Sequence, residues 1–484
     1  MKLLDAGDVI DGFEIIDCVH AGGMAHIYTV KYAHDGQGID KPDPGFVMAM
    51  KIPRMTAGDG SESIVSFEVE QQIMPVLTGK HVPRYVTSGD LDRLPYIVME
   101  YIEGKTIQNM LDEQEGPFSI EEISTIGAAM ATAVHSLHKQ NVCHLDIKPA
   151  NVLIREDGSA VTLDFGLSCH AHYPDLLAEQ NRKAVGSPVW IAPEQVVGVR
   201  GDPRSDIFAM GIILYEMATR ELAHGSAVSE NGMRRRLWYD PPPPRKLRAD
   251  IPEWLQEIIM RCLEPEAAKR YPSASHLAFD LTHPTQVTVT ERGKNVIGTS
   301  FGTHFKRWLK AAGMEYKPSP LPTQQIEEVP IIMVSVPHKD VTDATLYSLR
   351  EAVSRSLGIR PGARLACVTV ISPNASSSSD TRKSETSVYR QYLSMLQQWA
   401  QPLDLTQHQV SYHVLESSDV ADAILKYAEN NHVNMIIMGA ATHGLQMQKF
   451  VATVPIKVAM YAPCTIILVK QTLPFSELAE VPLD

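Results

Sequence analysis

The sequence predicts two domains of different class: an α+β unit, then an α/β unit with a doubly wound parallel sheet. Three observations predict this. The chain has 484 residues, more than a single hydrophobic core supports. Strand patterns crowd between Val9 and Gly104, and helical patterns dominate from Ile120 onward. From Val329 the texture changes, and short buried strands alternate with helices.

Composition narrows the function classes. Apolar residues make up 44%, which argues against wholesale disorder. The net charge of −13 argues against a nucleic-acid partner, which would call for a basic stripe. The 6 cysteines are scattered with no C-x-x-C pair, as reduced and mostly buried thiols of a cytoplasmic protein are. Met1 to Asp5 lack the apolar core of a signal peptide, and no apolar run is long enough for a membrane span. A soluble, cytoplasmic chain is the expectation.

Val9 to Asp17 alternates as a first strand should. His20-Ala21-Gly22-Gly23-Met24-Ala25-His26-Ile27-Tyr28 follows, a glycine-bearing turn between two strands. A long loop with Pro42 and Pro44 leads into the strand Val47-Met48-Ala49-Met50-Lys51. Ser66 to Ile73 has helical spacing, with Phe67, Glu70 and Gln71 in one turn. Tyr96 to Gly104 reads as a buried strand running into a turn. Ile120 to Lys139 is a helix with Ile123, Ile126, Gly127, Met130, Val134 and Leu137 on one stripe.

That helix leads into Cys143-His144-Leu145-Asp146-Ile147-Lys148-Pro149-Ala150-Asn151, where a carboxylate, a lysine and an amide fall close together. Val152-Leu153-Ile154 anchors them, and Asp164-Phe165-Gly166 follows. An acid to take a hydroxyl proton, a lysine for a phosphoryl oxygen and two metal-directed oxygens are what phosphoryl transfer from ATP requires.

These motifs resemble the protein kinase family, and Lys148-Pro149 resembles its serine/threonine branch, as found in bacteria. The resemblance implies a bilobal protein kinase fold (α+β) over residues 10–282, ATP and Mg2+ as cofactors, and protein substrates. It implies that Asp146 orients the substrate hydroxyl and accepts its proton, and that Lys148 contacts the transferring phosphoryl group. Asn151 and Asp164 would hold magnesium. Lys51 would bind the α- and β-phosphates with Glu70 as its partner, Glu68 being the rival. The glycine-rich turn would bring Val19, Gly22, Gly23 and Ile27 to the nucleotide. Ala49 would cover the adenine beside the gatekeeper Met99, with Leu153 completing the pocket. The Glu100 carbonyl and the Tyr101 amide would bond the adenine edge, and Glu103 would face the ribose. Ser187 would contact the catalytic aspartate, Asp206 would bond the backbone of the catalytic loop, and Arg270 would pair with Glu194.

Two departures stand out. His20 and Ala25 occupy positions where the family has glycine, and a bulky residue tolerates φ > 0 poorly. Leu145 stands where the family has an arginine that pairs with an activation-loop phosphate. Between Ser168 and Ser187 there is no serine or threonine, and Tyr173 is the sole hydroxyl. The missing cation and the missing acceptors agree, so loop phosphorylation is not expected to be needed. Cys169-His170-Ala171-His172 reads as a mobile loop rather than a metal site, and Pro241 to Pro244 as a polyproline II loop.

Residues 283–328 read as a linker. Within it, Thr299 to Gly313 is an amphipathic helix candidate with Phe301, Phe305, Trp308 and Leu309, expected to dock onto its own chain. Lys317 to Pro322 is a stiff spacer. Beyond it, Met435 to Val469, with Ala462-Pro463-Cys464, resembles the universal stress protein family, giving an α/β domain over 329–471. That family's glycine motif is eroded here. Gly439 remains, but Thr442 and Ala452 replace glycines ahead of Thr453, and Pro337 stands near the position of its adenine-contacting aspartate. Tight ATP binding by this domain is not expected, and a homodimer through its last strand is implied. The leading reading is a serine/threonine kinase regulated through its stress-protein domain. The alternatives are a pseudokinase scaffold and a stress-protein module that the kinase regulates.

Overall fold

The computed structural model describes residues 4–22, 25–33, 44–54, 61–89, 94–171, 173, 175, 177, 186–226, 229–312, 330–338, 341–358, 363–372, 383–406, 408–431, 433–440 and 454–470. The chain divides into two compact units, Met1–Gln325 and Ile326–Asp484.

The first unit opens with strands β1 (Val9–Ile10), β2 (Phe13–Ala21), β3 (Ala25–Tyr32), β4 (Met48–Pro53), β5 (Tyr85–Ser88) and β6 (Ile97–Glu100). They form one antiparallel sheet in the order β1-β2-β3-β4-β6-β5. Side chains alternate across it, as the pleat requires. Tyr28, Val30, Met48, Met50 and Val98 enter a core with Phe13, Ile15 and Ile52. Ile27, Ala49, Lys51 and Met99 fall on the opposite face, where the register sets Ile27 beside Lys51 and Ala49 beside Met99. Helix α1 (Ser61–Ile73) packs its Val65, Val69 and Ile73 with Phe165 and Leu137.

The rest of this unit is mainly helical. After α2 (Ile107–Glu113), Ser119 and Glu122 form a reciprocal capping box that starts α3 (Ile120–Lys139). The apolar stripe of α3 meets the helices Pro203–Thr219 and Ala274–Thr282. Gly127 permits the close approach, since a Cβ there would stand 2.7 Å from Leu214 Cδ2. Two small antiparallel sheets complete the unit. Strand β9 (Val152–Ile154) pairs with β7 (Lys105–Thr106) and β10 (Ala160–Thr162), and β8 (Val142–Cys143) pairs with β11 (Cys169–His170). Cys169 and His170 therefore form a strand rather than the expected loop, because the β8 backbone offers a partner; His172 lies outside the described residues. In the proline tract, Pro241, Pro243 and Pro244 are buried and the Pro242 carbonyl accepts a hydrogen bond from the Tyr215 hydroxyl. It is packed as part of the fold.

The segment after residue 282 also packs on this unit. Arg292 bonds Glu257 and Glu264, and the Gly293 amide donates to Glu257. The amphipathic helix forms over Phe301–Ala312. It attaches through polar groups: Arg307 donates to Asp240 at 2.6 Å, and His304 lies 4.7 Å from the Tyr239 ring. Phe305, Trp308 and Leu309 stay about half exposed.

The second unit is a five-stranded parallel sheet in the order β14-β13-β12-β15-β16. Its strands are β12 (Ile331–Ser335), β13 (Arg364–Ile371), β14 (Gln409–Glu416), β15 (Met435–Gly439) and β16 (Thr465–Val469). Helices Asp343–Gly358, Lys383–Ala400, Val420–Asn430 and Val454–Tyr461 connect them, and the reversal of strand order at β12 gives the doubly wound topology. The last of these helices is absent from the sequence reading. Thr442, Ala452 and Thr453 of the eroded glycine motif lie outside the described residues.

Candidate active site

The site is built between the open face of the first sheet and the loops that follow α3. Lys51 projects from β4 onto that face, and Glu70 comes from α1. Lys51 Nζ donates to Glu70 Oε2 at 2.6 Å and Oε1 at 2.9 Å, and to Asp164 Oδ1 at 2.9 Å. Burial pulls the Lys51 ammonium pKa down, but Asp164 and Glu70 more than offset it and hold it above the usual lysine value. Burial pushes the Glu70 carboxyl up, against the pull of Lys51. Lys51 holds Asp164 down at about 2, so that carboxylate is ionised at neutral pH. Glu68 is half-buried and Glu70 is buried, so the rivalry is decided for Glu70.

The catalytic loop is held from below. Asp206, fully buried, accepts from the His144 and Leu145 amides at 2.9 and 2.7 Å, and lies 2.8 Å from His138 Nε2. Leu145 takes φ +62°, and its carbonyl accepts from Gln195 Nε2 at 2.9 Å. These bonds aim Asp146 upward. Lys148 Nζ donates to Asp146 Oδ2 at 2.7 Å and to Ser187 Oγ at 3.2 Å. The Ser187 amide donates to Asp146 Oδ1 at 2.9 Å. Asn151 Nδ2 donates to the Asp146 carbonyl and to Oδ2, at 3.0 and 3.2 Å.

The residues fit a divalent cation. Asn151 spends its amino group on Asp146, which turns Oδ1 away and leaves it as an acceptor. The Leu163 amide bonds the Asn151 carbonyl at 2.8 Å, so the hairpin sets Asp164 beside Asn151. An ionised carboxylate with an amide oxygen is hard-oxygen ligation of the kind Mg2+ takes.

The nucleotide face is mixed. Ala49 is buried, Ile27 and Met99 are half-buried, and Leu153 packs with Ile102 and Val161. Val19 and Glu103 are exposed. His20 does not carry φ > 0. It continues β2 and pairs with Ile27, which removes the steric objection to it. At Gly22 a Cβ would sit 2.6 Å from His20 Nε2, the far end of that side chain. Gly23 lies outside the described residues. The Tyr101 amide is a correction. It donates to the Val47 carbonyl at 2.7 Å, inside the sheet, and so is not offered to a base. The alternation of an extended chain turns the next amide, that of Ile102, the other way.

A model of the protein kinase domain matches residues 37–280, half of the chain. The chain belongs to the protein kinase family. A model of the universal stress protein family matches residues 334–470, so the kinase domain is followed by a stress-protein domain. The chain is 29% identical over 269 residues to a "Probable serine/threonine-protein kinase" of Clostridium perfringens, covering 56% of this chain and 38% of that protein. It is 26% identical over 269 residues to serine/threonine-protein kinase PrkC of Bacillus subtilis, covering 56% and 40%. It is 25% identical over 275 residues to serine/threonine-protein kinase PknB of Mycolicibacterium smegmatis, covering 56% and 42%. The chain thus spans about two-fifths of the length of the curated relatives it matches. The kinase family uses ATP and Mg2+. Among the described residues, no helix is long and apolar enough to cross a membrane.

Some working parts of this kinase domain are not visible in its motifs. Gln195 and His138 brace the catalytic loop. Arg236, 1% exposed, donates at 2.6 Å to both the Ile191 and Pro188 carbonyls and so fixes the loop that carries Ser187. Burial without a carboxylate lowers its pKa to about 10. In the sequence it sits in Arg234-Arg235-Arg236, which reads as a solvated charge run.

Proposed function

We propose that the chain is an ATP-dependent protein serine/threonine kinase, with the kinase domain over residues 10–282, a linker over 283–328 and the stress-protein domain over 329–471. The observation that carries this reading is the cluster of Asp146, Lys148, Asn151 and Ser187, bound to one another by side-chain and backbone hydrogen bonds. Bound Mg-ATP supplies the phosphoryl group and charge neutralisation. Asp146 positions a serine or threonine hydroxyl and takes its proton. Lys148 is held between Asp146 and Ser187, where it meets the transferring group. Lys51, fixed by Glu70, holds phosphate oxygens, and Asn151 with Asp164 ligates the metal. Gly22 and Gly23 line the phosphates between Val19 and Ile27, and Ala49, Met99 and Leu153 enclose the base. The Glu100 carbonyl and the Ile102 amide face its edge, and Glu103 faces the ribose.

The stress-protein domain acts as the regulatory module in this reading and pairs two chains through β16, at the edge of the sheet. It does so without tight nucleotide binding, in a cytoplasmic protein. Turnover of ATP with a mixed protein substrate, wild type against Asp146→Ala, tests the enzyme reading. Loss of phosphoryl transfer in the variant, with nucleotide binding retained, supports it. Equal turnover in both would leave a scaffold.

A further inference from the structure

The kinase reading leaves open what orders the activation segment. Leu145 is apolar and buried, so it offers no cation to a phosphate. The sequence from Cys169 to Gly186 holds no serine or threonine to carry one. Yet the segment's first residues are held. The Ser168 amide donates to the Phe165 carbonyl, the Ala171 amide to Asn141, and the Tyr173 amide to His170.

A cation arrives from another place. Arg200 follows the short helix Pro193–Val196, whose Glu194 is pinned by Arg270 with bonds of 2.6 and 2.8 Å. The Val199 amide donates to the Glu194 carbonyl, so Arg200 leaves a rigid base. Its Nε donates to Asp175 Oδ2 at 2.7 Å, and its Nη2 to the Leu167 carbonyl at 2.8 Å. The Arg200 side chain is 8% exposed and that of Asp175 is 24% exposed. Leu167 directly follows Asp164-Phe165-Gly166, and Asp175 lies further along the same segment. One planar guanidinium therefore joins two points of the activation segment to the base of the helical lobe. Its fork geometry suits two acceptors set side by side, which a lysine cannot span.

We propose that Arg200 and Asp175 are the positioning pair of the activation segment, with the Asp175 carboxylate serving as a built-in substitute for the phosphate and Arg200 for the arginine that Leu145 replaces. The proposal rests on the kinase reading. Residues 167 and 175 of the segment then take their places as synthesised, and their placement does not wait on an upstream kinase.

Asp175→Asn keeps the shape and removes the charge, Asp175→Glu keeps the charge, and Arg200→Lys keeps the charge but not the fork. Full-length wild type is expected to carry no phosphate between residues 168 and 187 by mass spectrometry, and to keep its turnover after phosphatase treatment. Asp175→Asn is expected to lose about tenfold or more in kcat, as misplaced catalytic groups do, with the KM for ATP within about twofold and an unchanged melting temperature. Asp175→Glu should recover part of the loss, and Arg200→Lys should resemble Asp175→Asn. Full kcat in Asp175→Asn, or abolition of wild-type turnover by phosphatase, overturns the proposal. Should the wild type turn over nothing, the kinase reading fails by itself, and hydrogen exchange still reads the pair. Faster exchange of the Ser168, Ala171 and Tyr173 amides in Asp175→Asn supports it, and unchanged exchange overturns it.

Discussion

Lys51 on a strand and Glu70 on a helix meet at 2.6 Å, with the carboxylate buried and the ammonium nearly so. The same ammonium reaches Asp164 at 2.9 Å. A single cation thereby ties the sheet, helix α1 and the metal-directed carboxylate together. Removing Glu70's charge should let Lys51 swing toward Asp164 alone. Glu70→Gln is expected to fold and to lose about 10²-fold in kcat/KM for ATP, the scale of a misplaced positioning group. Steady-state kinetics beside a circular dichroism spectrum checks it.

The two carboxylates around Lys51 respond to pH with opposite signs. Asp164 is depressed from 3.8 to about 2, so it stabilises the fold above 3.8, and that contribution is lost as pH falls toward about 2. Glu70 is raised, so its contribution is present at low pH and lost as pH rises through its folded value. Melting temperatures of Asp164→Asn and wild type should converge on acidification below pH about 3.8. A constant difference down to pH about 2 would mean that Lys51 does not depress Asp164.

Arg270 and Glu194 form a buried pair of different purpose. Arg270 also donates to the Glu264, Arg204 and Pro265 carbonyls, and Ser205 donates to Glu194. Arg270→Met leaves the buried Glu194 carboxylate without its cation, with the Ser205 hydroxyl as its remaining side-chain donor, and about 3–5 kcal/mol of stability should be lost. The double variant Arg270→Met with Glu194→Leu should recover a good part of it. Urea unfolding midpoints measure both.

Nucleotide stoichiometry separates the domains. Full-length chain should bind a single ATP per chain in a calorimetric titration, and Lys51→Met with Asp164→Asn should abolish it. Residual micromolar binding in the double variant would assign a nucleotide site to the stress-protein domain, against the eroded glycine motif.

At the sheet edge, Leu468 of β16 is 42% exposed, and Met460 and Tyr461 on the preceding helix are 63% and 66% exposed. An apolar edge of this kind invites pairing. Leu468→Arg should convert a dimer to a monomer in light scattering. A wild type already monomeric at micromolar concentration would end the dimer reading.

Much of the fold was readable because burial imposes periodicity. The helix Ile120–Lys139 carries its stripe at 3.6-residue spacing, and the strand Met435–Gly439 is a bare apolar run bounded by turn residues. The helix Val454–Tyr461 was not readable, since its VPIKVAMY has no polar face of its own. The Tyr101 amide was misassigned for a related reason. Which backbone group faces the cleft depends on the parity of the β4–β6 register, and no residue type encodes that parity.

The sequence alone determined the chemistry on offer: two lysines, two aspartates and an asparagine in fixed order, since side-chain type is written in the chain whatever its shape. Tertiary structure alone decided the meetings that no motif names. It left Glu68 half-buried while Glu70 took Lys51, set Arg236 against the Ile191 and Pro188 carbonyls, and carried Arg200 to Asp175. Such choices depend on burial and distance between residues remote in the chain, and these exist only once the core has closed.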